Sequence, residues 1–158
     1  MKKLLLGCAF SLAVLLGSNG QAYSAAMDID GLVDNFYKAT DLQRTQVLKD
    51  SLGKEISGSG AVSNVGEYDF FDTANDLGGT YYQVSLTPQK TKNNVPYQLI
   101  LLFKDKNRVK DIAKGEKLQK DGQIIRIIDE RLQISVWIFC GELTENDKAL
   151  FKQDSPSF

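Results

Sequence analysis

Hydrophobic positions change their spacing four times along the chain, and each change marks an element. Leu4 to Leu16 is an apolar run broken only by Gly7 and Ser11, with Lys2 and Lys3 before it and small or polar residues after it. Ala22-Tyr23-Ser24 then sets small residues at the −3 and −1 positions of a cleavage site. This layout predicts a secretory signal over residues 1–24, and cleavage after Ala26 fits the same pattern. The run is shorter than the ~20 apolar residues of a membrane-spanning helix, so a cleaved signal is expected rather than an anchor, with no stable membrane insertion afterwards. Beyond it, Ile29, Leu32, Val33, Phe36 and Tyr37 recur at helical spacing. Thr40 with Gln43 reads as a capping box opening a second helix, and Gly53 as its stop. Residues 28–52 are thus expected to form a helical pair packed on whatever follows.

After Gly53 the pattern turns to alternation. Residues 54–65 read as a first strand carrying Gly58 and Gly60, and glycines inside a strand suit a sharp bend. Residues 66–79 read as a turn-rich link, residues 80–87 and 97–103 as strands, and residues 104–114 as a short helix ending at Gly115. Residues 117–128 and 132–143 read as two further strands joined by a tight turn, and residues 146–158 as a frayed tail. Five strands with one helix between the third and the fourth is the element order of the OB-fold, a Greek-key barrel. The expected fold is therefore mainly β with N-terminal helices, its barrel spanning residues 53–145.

Three segments strengthen this. Gly53-Lys54-Glu55-Ile56-Ser57-Gly58-Ser59-Gly60-Ala61-Val62 resembles the first barrel strand of small exported bacterial OB-fold proteins, among them the family named for its likeness to the tRNA anticodon-binding domain. Ile112-Ala113-Lys114-Gly115-Glu116-Lys117-Leu118, running into the fourth strand, and Ile138-Phe139-Cys140-Gly141-Glu142-Leu143, closing the last, are similar to the same pattern. The resemblance implies a fold; the family has no signature active site, and its link to tRNA is one of name and shape.

Composition narrows the chemistry. Without the signal about 130 residues remain, enough for one domain with a real core. Removing Lys2 and Lys3 leaves 17 basic against 20 acidic residues, a net charge of −3, which gives no global attraction to nucleic acid or to an anionic membrane. The chain has no histidine, so serine–histidine and cysteine–histidine catalysis and the common zinc sites are excluded. Cys8 follows Leu5-Leu6-Gly7 as a lipid-modified cysteine does, but the longer apolar run comes after it, which disfavours a lipoprotein. Cys140 then stands alone at the end of an apolar strand and is expected to be buried. The chain is expected in the periplasm or outside the cell.

Candidate contact residues lie where OB-folds bind. The link between the first two strands carries Tyr68, Phe70, Phe71 and Asp72. Alternation places Tyr82, Val84 and Leu86 on one face of the second strand and Tyr81, Gln83 and Ser85 on the other, outer face. Tyr68, Phe70, Phe71, Asp72 and Tyr81 are thus the candidate ligand contacts. Asp69, Asp72 and Asp76 lack the alternation of an EF-hand loop, so no metal site is expected, and no cofactor either. Lys104, Lys106, Arg108, Lys110 and Lys114 are interleaved with Asp105 and Asp111, so their field largely cancels. The expected function is an exported, non-catalytic binding module holding a peptide, a glycan or a partner protein. Two alternatives are a single-stranded nucleic-acid binder, favoured by fold alone, and a carboxylate hydrolase using Asp69, Asp72 and Glu142, for which no spacing argues.

Overall fold

The computed structural model describes residues 27–72 and 77–153; the signal segment, with Cys8 and both cleavage positions, lies outside them. Two helices open the described chain, α1 (Ile29–Lys38) and α2 (Asp41–Ser51). They break where the capping residues stand: the Gln43 side chain accepts from the Thr40 backbone N–H at 2.9 Å. Gly53 ends the pair in the left-handed region, at φ 75°.

The remainder is mainly β. Strands β1 (Glu55–Asp72), β2 (Leu77–Leu86), the two-residue β3 (Gln89–Lys90), β4 (Pro96–Phe103), β5 (Lys117–Asp129) and β6 (Ile134–Phe139) form one six-stranded sheet in the order β2-β1-β5-β6-β4-β3. An additional β2–β4 pairing closes the sheet into a ring. Every pairing is antiparallel except β4 with β6. The long β1 makes closure possible by serving two neighbours: Glu55–Ala61 pairs with β5, and Val62–Asp72 pairs with β2. The switch falls at a register shift between Val62 and Asn64. Just before it, Gly58 faces inward where a methyl group would come within 3.1 Å of Ile138 and 3.3 Å of Leu101. A side chain there requires Ile138, Leu99 and Leu101 to give by a few tenths of an ångström, and glycine avoids that.

Alternation fills the interior as the pattern requires. Ile56, Val84, Leu86, Leu99, Leu101, Phe103, Ile124, Val136 and Ile138 meet inside, and Cys140 joins them at 2% exposure. Helix α1 adds Leu32, Val33 and Phe36 to the same cluster. Its buried Asp34 accepts from the Thr91 hydroxyl at 2.6 Å and from the Asn93 side-chain amide, tying α1 to the turn before β4.

Three expectations are corrected. The link over residues 66–79 is in large part strand: β1 continues to Asp72 and β2 begins at Leu77, paired from Gly66↔Gln83 to Asp72↔Leu77. Its aspartates and glycines read as turn formers, but a ladder on β2 satisfies their backbone groups and overrides propensity. The helix expected over residues 104–114 is a single 3-10 turn, Lys106–Arg108. A stretch so short is marginal as a helix, and Val109 reaches the interior from an irregular segment instead. The tail expected to fray holds helix α3 (Glu145–Gln153), docked through Leu150 and Phe151, which are 4% and 5% exposed; residues 154–158 lie outside the described residues. Among the described residues no helix is long and apolar enough to cross a membrane.

Candidate functional site

The outer side of the ring carries a second apolar cluster. Tyr81, Ile100, Leu102, Ile125, Trp137 and Phe139 point away from the interior and pack under Leu150 and Phe151 of α3, with Tyr68, Ile128 and Leu143 at the margin. The rings contact one another: Tyr68 meets Trp137 edge-on at 5.0 Å, and Phe151 lies 5.4 Å from Tyr81 and 5.8 Å from Phe139. Arg126 lies over the Trp137 ring at 5.6 Å. In effect the sheet is buried on both faces along β4 and β6, which explains why all six residues of β6 are buried.

This placement decides the fate of the candidate contacts. Tyr81 is on the outer face as alternation requires, but it is 3% exposed and serves the fold. The helix that covers it comes from the stretch read as tail, so the strand pattern alone could not reveal the burial. Tyr68 is half-buried and sits directly across the ladder from Tyr81. Phe70, Phe71 and Asp72 end β1 opposite Gly79, Gly78 and Leu77; their side chains lie outside the described residues, as does Asp76. The sequence therefore placed these residues on a loop, whereas they belong to one hairpin whose described aromatics turn onto the chain itself.

The group that fastens α3 was missed. Asp147 is 2% exposed and accepts from the Tyr81 hydroxyl at 2.6 Å, from the Lys104 ammonium at 3.1 Å, and from the Thr144 backbone N–H and hydroxyl at 3.0 and 2.6 Å. Thr144 in turn accepts from the Asp147 N–H at 3.2 Å, which completes a capping box at the start of α3. Burial alone would raise the Asp147 pKa; the bonds from Thr144, Tyr81 and Lys104 outweigh it and bring it down to about 2. Burial together with the adjacent carboxylate pushes the Tyr81 hydroxyl well above its ordinary range. The signal was present in the sequence: Thr144-Glu145-Asn146-Asp147 followed by Leu150 and Phe151 is a capping box with an apolar face.

The basic cluster is likewise structural in part. Lys104 pairs with Asp147, Lys106 with Glu67 at 3.4 Å, and Arg108 donates to the Cys140 carbonyl at 2.6 Å while lying over the Phe103 ring. Burial pushes the Cys140 thiol up to about 12, with Arg108 and Lys120 pulling weakly the other way. Such a thiol is protonated at neutral pH and makes a poor nucleophile.

A concave surface does exist, beside β5. A cleft of about 440 Å³ opens between the C-terminal end of α2, the middle of β5 and α3. Ile125 and Phe151 are its buried base, Leu52, Gln123 and Leu143 are half-buried beside them, and Gly53 and Lys148 are exposed at the margin. Ordinary alternation makes this base. Ile124 enters the interior and Ile125 turns outward into the cleft, and the register shift between Ile124 and Arg126 then brings Ile127 inward again. Gly122 lets the strands close beside it, since a methyl group there would lie 2.4 Å from the Phe139 carbonyl oxygen. The volume falls within the ~300–1,000 Å³ of ordinary ligand pockets, as does the pairing of an apolar base with a few polar groups.

Two carboxylates in the described fold have shifted acidities, Asp34 and Asp147, and both are lowered, Asp34 by its bond from Thr91 before any other cause. Neither lines the cleft. Among the described residues no group of three His, Cys, Asp or Glu is placed to hold a metal ion. Comparison with protein-family models and with curated proteins found no match for the chain.

Proposed function

We propose that this chain is an exported OB-fold binding module that holds a peptide or a segment of a partner protein and catalyses no reaction. The ring order supports the fold assignment. Counting the five long strands in chain order, the first pairs with the second and fourth, the fifth lies between the third and fourth, and only the third and fifth run parallel. That is the closure pattern of an OB barrel, and it supports the resemblance noted from Gly58, Gly60 and Gly115. The positive Lys2-Lys3 start, the apolar run to Leu16 and the small residues at Ala22 and Ser24 support export.

The observation that carries the binding reading is the half-apolar cleft between α2, β5 and α3, set beside an outer sheet face already covered by the chain. OB domains that bind single-stranded nucleic acid or sugars present aromatic rings on an open face. Here Tyr81, Phe139 and Phe151 meet one another at tilted or edge-on angles, and Trp137 is met by Tyr68 and Arg126. Glycans and nucleic acid are thereby disfavoured, and a side chain presented by a peptide suits the cleft better. For hydrolysis, a carboxylate held protonated in a cleft would be needed; Asp34 and Asp147 are shifted the other way.

Selection of displayed random peptides against the immobilised, processed chain tests this. Enrichment of related sequences that then bind saturably in solution is the expected result. No enrichment, together with saturable binding of single-stranded DNA at low salt or of an oligosaccharide, overturns it. For the export claim, N-terminal sequencing of the chain made in a bacterial host is expected to begin at Ala25 or Met27, and an intact Met1 contradicts it.

A further inference from the structure

We infer that the cleft is selective for an apolar side chain that sits next to a carboxylate, with Lys148 as the counter-charge. This deepens the peptide-holding reading and rests on it.

The argument starts from the lining. Among the described residues that form the cleft, Lys148 is the charged one, and the other polar side chain is the neutral Gln123. Lys148 is engaged at 2.7 Å by Glu145, three residues back on α3, but that carboxylate is 88% exposed and the lysine 47% exposed. An exposed pair of this kind contributes ~1 kcal/mol or less, so the ammonium exchanges a solvated partner for an incoming one at little cost. A ligand carboxylate brought to the margin by an apolar anchor is in a less hydrated position than Glu145, and the same ammonium interacts with it more strongly.

The form of the cleft favours a peptide as the source of that chemistry. Ile125 and Phe151 are the buried members of its lining, which also brings an amide and a cation. An apolar side chain resting on these two leaves its backbone groups to Gln123 and an adjoining carboxylate to Lys148. With 17 basic and 20 acidic residues beyond the signal, the chain as a whole offers a carboxylate no net attraction, so a cation beside an apolar base is a selective feature.

The experiment is an amide-shift titration of the ¹⁵N-labelled processed chain with N-acetyl-Leu-Leu-Phe bearing a free carboxylate, with the same peptide as its C-terminal amide, and with octanoate. Saturable shifts at Gly53, Gln123, Ile125 and Lys148 are expected, with the amide peptide about threefold to fivefold weaker. Lys148→Gln is expected to abolish that difference and Lys148→Arg to retain it; both are surface changes that leave the fold in place. Equal binding of the two peptides overturns the role of Lys148. Tighter binding of octanoate at the same amides overturns the peptide in favour of a fatty acid. Absence of saturable shifts at the cleft overturns the site. If display-selected peptides shift the hairpin around Tyr68 instead, the cleft fails while the peptide-holding reading stands; if they shift nothing, both fail.

Discussion

Tyr81, Lys104 and Thr144 converge on one carboxylate from β2, from the end of β4 and from the start of α3, so the two oxygens of Asp147 join a strand face to a helix cap. Its replacement by asparagine keeps the shape but turns an amide N–H toward groups that are themselves donors. Asp147→Asn is expected to cost about 2–4 kcal/mol and Tyr81→Phe about 1.5–3 kcal/mol, read as lowered urea midpoints. The pH dependence has a definite sign. Asp147 titrates at about 2 in the folded chain against an ordinary 3.8, a depressed value, so its contribution is fully present above pH ~4 and is lost as pH falls through ~2. Hydrogen exchange or near-ultraviolet dichroism between those limits is expected to report release of α3 in the native chain. The same window is expected to be flattened in Asp147→Asn; an unchanged acid transition in that variant contradicts the assignment.

Elements differ in how far their own residues announce them. The helical pair was legible because periodicity, the Thr40–Gln43 box and Gly53 agree, and the interior face of β2 followed from alternation. Two elements went unread, α3 despite its capping box. The hairpin arm at residues 66–79 is made of residues that favour turns, and only pairing across to β2 makes it strand. Helix α3 is short and charged, and its stability comes from Leu150 and Phe151 docking on a face that the strand pattern marks as outer. That is also why Tyr81 read as a ligand contact: the covering element lies 60-odd residues away in sequence, and alternation reports which face a side chain takes, not what lies above it. The cleft was invisible for a related reason, since the end of α2, β5 and α3 come to it from distant parts of the chain and no local pattern specifies their meeting. Close approach of β5 to β6 at Gly122 gives a test at the scale of the strand. Gly53→Ala places a side chain at φ 75° with nothing within 4 Å and is expected to cost ~1–2 kcal/mol. Gly122→Ala drives a methyl group to 2.4 Å from a backbone oxygen, and is expected to lose more stability than Gly53→Ala, by thermal or urea unfolding. The reverse order contradicts the strand packing described.

At the scale of the molecule, the ring is closed on the inside by its own core and over β4 and β6 on the outside by α3 and the β1–β2 hairpin. This arrangement leaves the groove between α2, β5 and α3 as the concave surface beside a covered sheet face, and it makes the groove dependent on α3, whose Phe151 and Lys148 form one side of it. In the function proposed above, recognition is coupled to the docking of one short helix, and whatever loosens Asp147 loosens the groove. The covered outer face is the claim on which the rest depends, and the chain contains a single tryptophan placed to report it, Trp137, buried at 6% exposure between Tyr68 and Arg126. Acrylamide quenching of its fluorescence in the processed chain at neutral pH is the most direct measurement. The structure predicts blue-shifted emission with weak quenching, and stronger quenching in Tyr68→Ala, which removes the ring that lies against the indole. Emission and quenching at neutral pH equal to those of a solvent-exposed indole contradict it.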